Sequence, residues 1–311
     1  GAGNIAIGYQ ANLEGTTGRA NTVVGHSAMS QSGGDVTAQD NVFIGAYAGN
    51  GDWAGAGVDA NIGIGYAALG GAMTDANNNI GIGFEALNGI TSGDNNVGIG
   101  RQAGDVMTTT SNCTLVGYQA GLVINHSDAG GTVAIGTSAL VALTSGIGNV
   151  AVGKEALAAE DDGDFNTAVG HQALTAQTGV SGTVGNTAVG YKSAVATTTG
   201  VYNSTFGFES AIALTLGRYN TAIGWRSLYS DVAGEESTAF GYGALFTQDM
   251  GDSRVSSNNT AIGMTAGYTN VTGTANTWVG YQAGKGGAGS NSNNVGIGAN
   301  ALLSVTTGGT N

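Results

Sequence analysis

The stretch Asn166-Thr-Ala-Val-Gly-His-Gln-Ala-Leu174 decides the fold, because variants of it recur along the whole 311-residue chain. Each copy has Asn or a substitute, two small or β-branched residues, then Val, Ile or Phe before a glycine that we number position 0, and Ala or Ser at position +3. The seventeen position-0 residues, here called anchor glycines, are Gly8, Gly25, Gly45, Gly65, Gly83, Gly100, Gly117, Gly136, Gly153, Gly170, Gly190, Gly207, Gly224, Gly241, Gly263, Gly280 and Gly298. Nine of the sixteen intervals between them are 17 residues and the others are 18 to 22, which predicts one supersecondary unit stacked on itself.

Positions −3 to −1 of each copy form the predicted strand. Position −1 is Val, Ile or Phe throughout, position −3 is Val, Ile, Thr or Ser, and position −2 is mostly Ala or Gly. Because side chains alternate along a strand, −1 and −3 share one face and −2 lies on the other. A second glycine at +10, in eight of the nine 17-residue coils, predicts two sharp turns that separate two short strands.

The predicted fold class is therefore all-β: a parallel β-solenoid, or β-roll, of about seventeen coils with a repeat of 17 to 22 residues. Residues 1–311 form a single continuous array in this interpretation. The extra residues of longer coils, such as Gly49–Ala60 and Phe246–Asn258, are predicted to be loops that protrude outward. The copies run to both ends, with Asn311 where the Asn of a further coil would fall, so we expect the chain to be part of a longer fibre.

Composition excludes several classes of protein. The 58 glycines follow no G-X-Y register and are accompanied by no proline, which excludes collagen. The net charge of −13, from 21 acidic and 8 basic residues, disfavours binding to nucleic acid. No apolar run approaches the roughly 18 residues of a membrane helix, so no membrane insertion is expected.

Position −4 is Asn in fourteen of the seventeen copies, with Cys113, Thr132 and Ser237 in the others. Stacked coils place equivalent residues about 4.8 Å apart, which lets side-chain amides hydrogen-bond from coil to coil. The sequence therefore predicts a structural asparagine ladder rather than a ligand site. Its members are Asn4, Asn21, Asn41, Asn61, Asn79, Asn96, Asn149, Asn166, Asn186, Asn203, Asn220, Asn259, Asn276 and Asn294.

No residue pattern points to catalysis, to a cofactor or to a metal ion. Matches to the dinucleotide fingerprint, such as Gly81-Ile-Gly83-x-x-Ala86, are repeats with glycine at −2 and are followed by no helical pattern. The acidic run Glu160–Asp162 falls in a variable segment and is interpreted as a solvated charge cluster. Cys113, the one cysteine, replaces a ladder Asn and is predicted to be a buried or half-buried substitute. We expect no enzyme activity.

Three copies carry a resemblance to a known family: Asn166 to Leu174, Asn186-Thr-Ala-Val-Gly-Tyr-Lys-Ser-Ala194 and Asn220-Thr-Ala-Ile-Gly-Trp-Arg-Ser-Leu228. They resemble the repeats of bacteriophage tail-fibre proteins and are similar to the head repeats of trimeric autotransporter adhesins. The resemblance implies a left-handed parallel β-roll, assembled as a parallel homotrimer, that projects from a virion or cell and contacts a host surface. The coils are longer than the shortest adhesin-head repeats.

The first functional hypothesis is a structural segment of an extracellular or virion fibre, tail-fibre-like or adhesin-like, that mediates surface attachment. Its partners would be copies of itself and a cell-surface receptor or glycan. The alternative is a subunit of an extracellular filament that polymerises end to end and has no receptor of its own. Ice binding has less support, because it needs a flat Thr ladder and the Thr residues at −3 belong to a strand expected to be buried. The residues also favour a parallel oligomer, since one thin coil can bury only one of two apolar strand faces.

Overall fold

The computed structural model describes residues 3–12, 17–30, 37–53, 57–286 and 291–304. It is all-β, and its one helical element in these ranges is a 3₁₀ turn at Ser127–Ala129. The chain divides into two compact units, Gly1–Lys154 and Glu155–Asn311, here called unit 1 and unit 2. Each unit is built from three-residue strands, called motif strands, that end one residue before an anchor glycine.

Unit 1 contains nine motif strands, and successive strands within the unit pair in parallel. The register aligns equivalent positions, so that Ile62 lies opposite Ile80 and Ile64 opposite Ile82. The strands are Ile5–Ile7, Thr22–Val24, Val42–Ile44, Ile62–Ile64, Ile80–Ile82, Val97–Ile99, Thr114–Val116, Val133–Ile135 and Val150–Val152.

Unit 2 contains eight motif strands with the same parallel pairing and the same register. They are Thr167–Val169, Thr187–Val189, Ser204–Phe206, Thr221–Ile223, Thr238–Phe240, Thr260–Ile262, Thr277–Val279 and Val295–Ile297. The prediction of a parallel β-solenoid is confirmed, with about sixteen turns of about 18 residues. Left-handed winding and continuity of the array from residue 1 to residue 311 stay predictions.

The second strand of each coil is more limited than the sequence predicts. Among the described residues it forms only as two-residue strands, in three parallel pairs beside coils of 20 or 22 residues. The pairs are Ala38–Gln39 with Val58–Asp59, Gly163–Asp164 with Gly182–Thr183, and Gly234–Glu235 with Val255–Ser256. In the other described coils no second strand forms, and +10 glycines such as Gly93 and Gly200 lie in backbone without regular secondary structure.

In most of the described coils the interior is lined by positions −2, +3, +4 and +7, and Asp52 and Ala72 are exposed exceptions at +7. In the copy around Gly170, for example, Ala168, Ala173 and Leu174 are all buried. Residue −2 points inward from the motif strand, while −1 and −3 are half-buried or exposed. The motif strand therefore buries one face inside its own coil, and the narrow interior explains why small side chains dominate there.

Each anchor glycine occupies a backbone conformation that an L-residue rarely adopts. At Gly207, φ is +142°, and an added Cβ would lie 2.4 Å from the carbonyl oxygen of Gly224 in the next coil. Equivalent values recur along both units; at Gly65 they are +133° and 2.4 Å. The stacked glycines thus let successive backbones approach more closely than any side chain permits, which accounts for their periodicity.

Large side chains at −2 are accommodated by glycine in the turns around them. Trp278, which is 4% exposed, fills space that a Cβ on Gly267 or Gly284 would enter at 2.5 and 2.2 Å. Phe43 is placed in the same way against Gly49 and Gly63. A large side chain at −2 is therefore matched by a glycine at a nearby position, so that the total side-chain volume inside the coils changes little.

The longer coils are not purely outward loops, which corrects the sequence prediction for two segments. In the Gly49–Ala60 segment, residues 54–56 lie outside the described ranges, but Trp53 and Val58 are fully buried, and Trp53 packs on Phe43 at 5.6 Å. In Phe246–Asn258, only residues 251–256 and residue 258 are exposed, whereas Gln248 and Ser257 are buried. Part of each insertion enlarges the core, because a wider coil has more interior to fill.

Candidate functional site

The asparagines at −4 form a column of hydrogen bonds inside each unit. In Asn79 the backbone N–H and Nδ2 both donate to Oδ1 of Asn61, at 2.9 and 3.1 Å. Nδ2 also donates to the Gly93 carbonyl at 2.9 Å, and Oδ1 accepts the backbone N–H of Asn96 at 3.0 Å. One amide side chain therefore satisfies backbone groups of its own coil and of the next, inside a dry interior.

The same bond, from the backbone N–H of the next −4 residue to Oδ1, recurs throughout the column. The accepting residues are Asn4, Asn21, Asn41, Asn61, Asn79, Asn96, Asn166, Asn186, Asn203, Asn220, Asn259 and Asn276. Asn149 is buried, and Asn294 donates from Nδ2 to Asn276 at 2.9 Å. The column is thus part of the fold, and in the central coils its own side-chain amides are buried and not open to a ligand.

Two buried glutamines, which the sequence analysis missed, support the ladder beside long coils. Asn186 donates from Nδ2 to Oε1 of Gln177 at 2.7 Å, and Asn259 donates in the same way to Gln248 at 2.9 Å. Gln248 also donates to Oγ of Ser237, the residue that replaces Asn in that coil, at 2.8 Å. The glutamine supplies the amide that a serine cannot provide.

Cys113 takes the ladder position in its coil as a buried side chain, as the sequence predicts. Its backbone N–H donates to Oδ1 of Asn96 at 3.0 Å, and its thiol lies 3.6 Å from the carbonyl of Ala129. Burial raises the pKa of the Cys113 thiol to about 11. The thiolate, which is the reactive form, is therefore scarce near neutral pH.

We expect the Cys113 thiol not to react with an aromatic disulfide reagent at about pH 8 while the chain is folded, and to react fully once it is denatured. A cysteine introduced at the exposed position Ser253 is the control and should react at once. Reaction of native Cys113 as fast as the control would contradict its burial. The measurement is the absorbance of the released thiolate.

The outward side of the motif strands, positions −3 and −1, forms an apolar surface that we call the strand face. In unit 2 it includes Phe206 and Phe240 at −1, which are 38% and 49% exposed. In unit 1 the same position holds Ile44, Ile99 and Ile135, all exposed. Position −3 adds half-buried Val and Ile in most of unit 1 and half-buried Thr or Ser in most of unit 2. The strand face is thus repeated in every coil.

Aromatic rings at position +1 continue this apolar surface on the other side of the anchor glycine. In unit 1, Tyr66 stacks on Phe84 with ring centroids 5.1 Å apart, and the Arg101 guanidinium lies between Phe84 and Tyr118 at 5.3 and 5.9 Å. In unit 2, Tyr191 stacks on His171 at 5.5 Å and on Phe208 at 4.9 Å, while Trp225 packs on Tyr242 at 5.0 Å. These separations are close to the distance between paired strands, so the in-register sheet itself aligns the rings.

A further column at +5 occurs in unit 2. Tyr229, Phe246 and Tyr268 are stacked at 4.8 and 4.9 Å with their rings within 5° of parallel. Arg226 lies over both Trp225 and Tyr229 and pairs with Glu209 at 2.7 Å, which links the +1 and +5 columns. Sequence reasoning missed both columns, although a count of aromatic residues at fixed distance from the anchor glycines would have found them.

The exposed apolar area is large for a single chain. Positions −1 and +1 hold eight large, exposed apolar side chains in unit 1 and ten in unit 2. If each leaves roughly 80 Å² open, out of the about 150–250 Å² of a whole aromatic side chain, the exposed apolar area is about 600–800 Å² in each unit. Monomers rarely expose contiguous apolar patches beyond a few hundred Å², and about 800 Å² per partner is the size of a stable protein interface.

In the acidic run Glu160–Asp162, the prediction of a solvated cluster is wrong for Glu160, whereas Asp161 and Asp162 are partly exposed. Glu160 is fully buried, and its Oε1 accepts the backbone N–H groups of Asp161, Asp162 and Gly163 at 3.1, 3.3 and 2.7 Å. Its Oε2 accepts Nδ2 of Asn166 at 3.4 Å. The carboxylates of the three acids lie within 4.8 Å of one another, but N–H donors already occupy both oxygens of Glu160, so the run is not arranged as a cation site.

Comparison of the chain with protein-family models, with curated protein sequences and with solved structures found no match in any of the three. Among the described residues, none forms a helix of the length and hydrophobicity that a bilayer crossing requires. The fold and its repeated surface define a class: the chain is a β-solenoid repeat protein.

Proposed function

We propose that this chain is a structural segment of an extracellular or virion fibre, in which the strand face is covered by parallel copies of the same chain and the assembled fibre mediates surface attachment. The observation that carries the proposal is the strand face with its adjoining rings, an apolar surface of interface size that recurs in each unit. Parallel copies would meet with equivalent residues in register, because a cyclic assembly brings the same patch of every subunit to one axis. Three copies about one axis is the arrangement we propose.

The character of the fold supports a mechanical role over a catalytic one. The buried polar groups of the ladder are used to hold coil to coil, and the ring columns add stacking between coils on the outside. Every element contacts only its neighbours along the array, which is how solenoids span distance. We propose that the chain has no catalytic activity and that attachment surfaces lie on the parts of the coils left outside the assembly.

Ice binding is less well supported by this surface. The Thr column at −3 in unit 2 does lie on the outward side, with Thr167, Thr187 and Thr221 half-buried. The neighbouring −1 column, however, is interrupted by the large side chains Phe206 and Phe240. These rings break the flat surface that matching to an ice lattice needs.

The oligomeric state tests the proposal. We expect light scattering of the purified chain at micromolar concentration to give about three times the monomer mass of 30.5 kDa, and electron micrographs to show short rods. Replacing Phe206 and Phe240 together by Glu should dissociate the assembly, because charges do not fit an apolar interface. A stable monomer of the unmodified chain would rule the assembly out, and continuous filaments would favour the end-to-end alternative.

A matched control is available at position −5. Tyr202 and Tyr219 are as exposed as the two phenylalanines and stack on each other at 5.4 Å, but they lie before the ladder Asn and outside the strand face. Glu is compatible with their backbone, since Glu236 occupies the same position with the same left-handed φ. Replacing both tyrosines by Glu should leave the mass unchanged; equal dissociation by both double variants would show that the strand face is not the interface.

A further inference from the structure

Position +7 is buried in eleven coils, the eight fully described 17-residue coils and three longer ones, and its chemistry differs along the chain. In five coils it holds an apolar side chain, and in six it holds a polar or acidic one, all of them buried. The apolar set is Ile90, Met107, Ile124, Leu143 and Leu214, and the polar set is Glu160, Gln177, Thr197, Asp231, Gln248 and Asn270. In unit 2, two carboxylates therefore occupy position +7, where the buried residues of unit 1 are apolar.

Asp231 is held in the same way as Glu160. It is fully buried, its Oδ1 accepts the backbone N–H groups of Gly234 at 2.9 Å and Met250 at 3.4 Å, and its Oδ2 accepts Nε2 of Gln248 at 2.7 Å. Both acids thus receive the N–H of the +10 glycine of their own coil, and each is followed one coil later by a buried Gln at +7. These two features are common to both sites, whereas the remaining donors differ: Asn166 donates to Glu160, and Gln248 donates to Asp231.

Neither carboxylate has a basic partner. Within the described ranges, no ion pair joins Glu160 or Asp231 to Lys, Arg or His. The charged groups that act on them are themselves acids, Asp161 beside Glu160 and Asp249 in the coil after Asp231. Their partners are neutral N–H dipoles, which compensate only part of the cost of removing a charge from water.

We propose that unit 2 contains an acid-strengthened core, in which Glu160 and Asp231 are only partly compensated buried charges near neutral pH and their protonation stabilises the two coils that hold them. Burial raises the pKa of both carboxyls above the usual range, against the opposing effect of their N–H partners. The folded chain consequently binds protons more tightly than the unfolded chain. Its stability rises as the pH falls through the folded pKa, and the gain is complete below the unfolded pKa near 4.

Thermal unfolding of the full chain between about pH 7.5 and about pH 5 tests this. We expect the melting midpoint to rise by more than about 2 °C as the pH falls, and Glu160→Gln with Asp231→Asn to be at least as stable as the wild type at about pH 7.5. The double variant should also gain less on acidification. The exposed acids Glu236 and Asp252 provide the control, since Glu236→Gln with Asp252→Asn removes the same two negative charges and should keep the wild-type pH slope.

A midpoint that falls on acidification, or a double variant with the wild-type slope, would overturn the proposal. Should the double variant fail to fold, the carboxyl ¹³C shifts of Glu160 and Asp231 in the unmodified folded chain decide instead. Titration above the unfolded values supports the proposal, and titration below them refutes it.

Discussion

Replacing Gly207 by alanine is expected to unfold its coil locally and to cost about 3–5 kcal/mol. The left-handed backbone costs an L-residue about 1–2 kcal/mol, and the added Cβ would overlap the carbonyl oxygen of Gly224 at 2.4 Å. That oxygen is backbone in a paired coil and has no room to move. Hydrogen exchange should show lost protection in the coils around residue 207 and near-normal protection farther away, because a solenoid contacts only its neighbours.

Gly179→Ala is the matched control. Gly179 also has a positive φ, +71°, but nothing lies within 4 Å of the position of its added Cβ. This variant should cost only the backbone strain, about 1 kcal/mol. Equal exchange patterns for the two variants would mean that the contact between anchor glycines of successive coils does not limit the fold.

Asn96→Leu is expected to destabilise unit 1 by about 2–4 kcal/mol, although the side chains have nearly the same size. The backbone N–H of Cys113 would lose its acceptor at 3.0 Å, and the carbonyl of Thr110 would lose a donor at 2.8 Å. Each buried unpaired group costs about 1–3 kcal/mol. Chemical denaturation and exchange of the Cys113 amide would measure the effect.

Asn95, next to Asn96 in the sequence, provides the control. It distinguishes the effect of interrupting the buried column from the effect of losing an asparagine in general. It is exposed, its Nδ2 lies 3.5 Å from Oδ1 of Asn112, and the same position holds Phe165 and Tyr202 in other coils. Asn95→Leu should therefore change stability by less than about 0.5 kcal/mol. Similar losses at Asn95 and Asn96 would contradict a structural role for the buried column.

The features that the backbone geometry requires in each coil were predictable from the sequence. The anchor glycine is required by a close approach of main chains, and the inward Ala or Gly at −2 by a narrow interior, so both repeat wherever the coil repeats. The position of Asn before each motif strand was equally regular. Periodicity therefore predicted the parallel sheet, its register and the two faces of each strand.

The chemistry at +7 is not predictable from residue type, because this core position holds an apolar side chain in some coils and a polar or acidic one in others. Glu160 was interpreted as solvated since it precedes two further acids, yet it occupies the core position that Ile90 fills in another coil. The Phe246–Asn258 segment was interpreted as a loop because of its length, although Gln248 and Ser257 point into the coil. Counting from the glycine would have placed both Glu160 and Gln248 inside.

The in-register pairing of equivalent residues has a consequence for how such a chain changes in evolution. Each coil contacts the coil before it and the coil after it through equivalent carbonyls, asparagine amides and glycines. The in-register pairing of Ile62 with Ile80 is one example. A tandem duplication of seventeen codons would therefore insert a complete coil whose partners already exist on both sides. Recombination between repeats can lengthen or shorten the array one coil at a time without any new folding information.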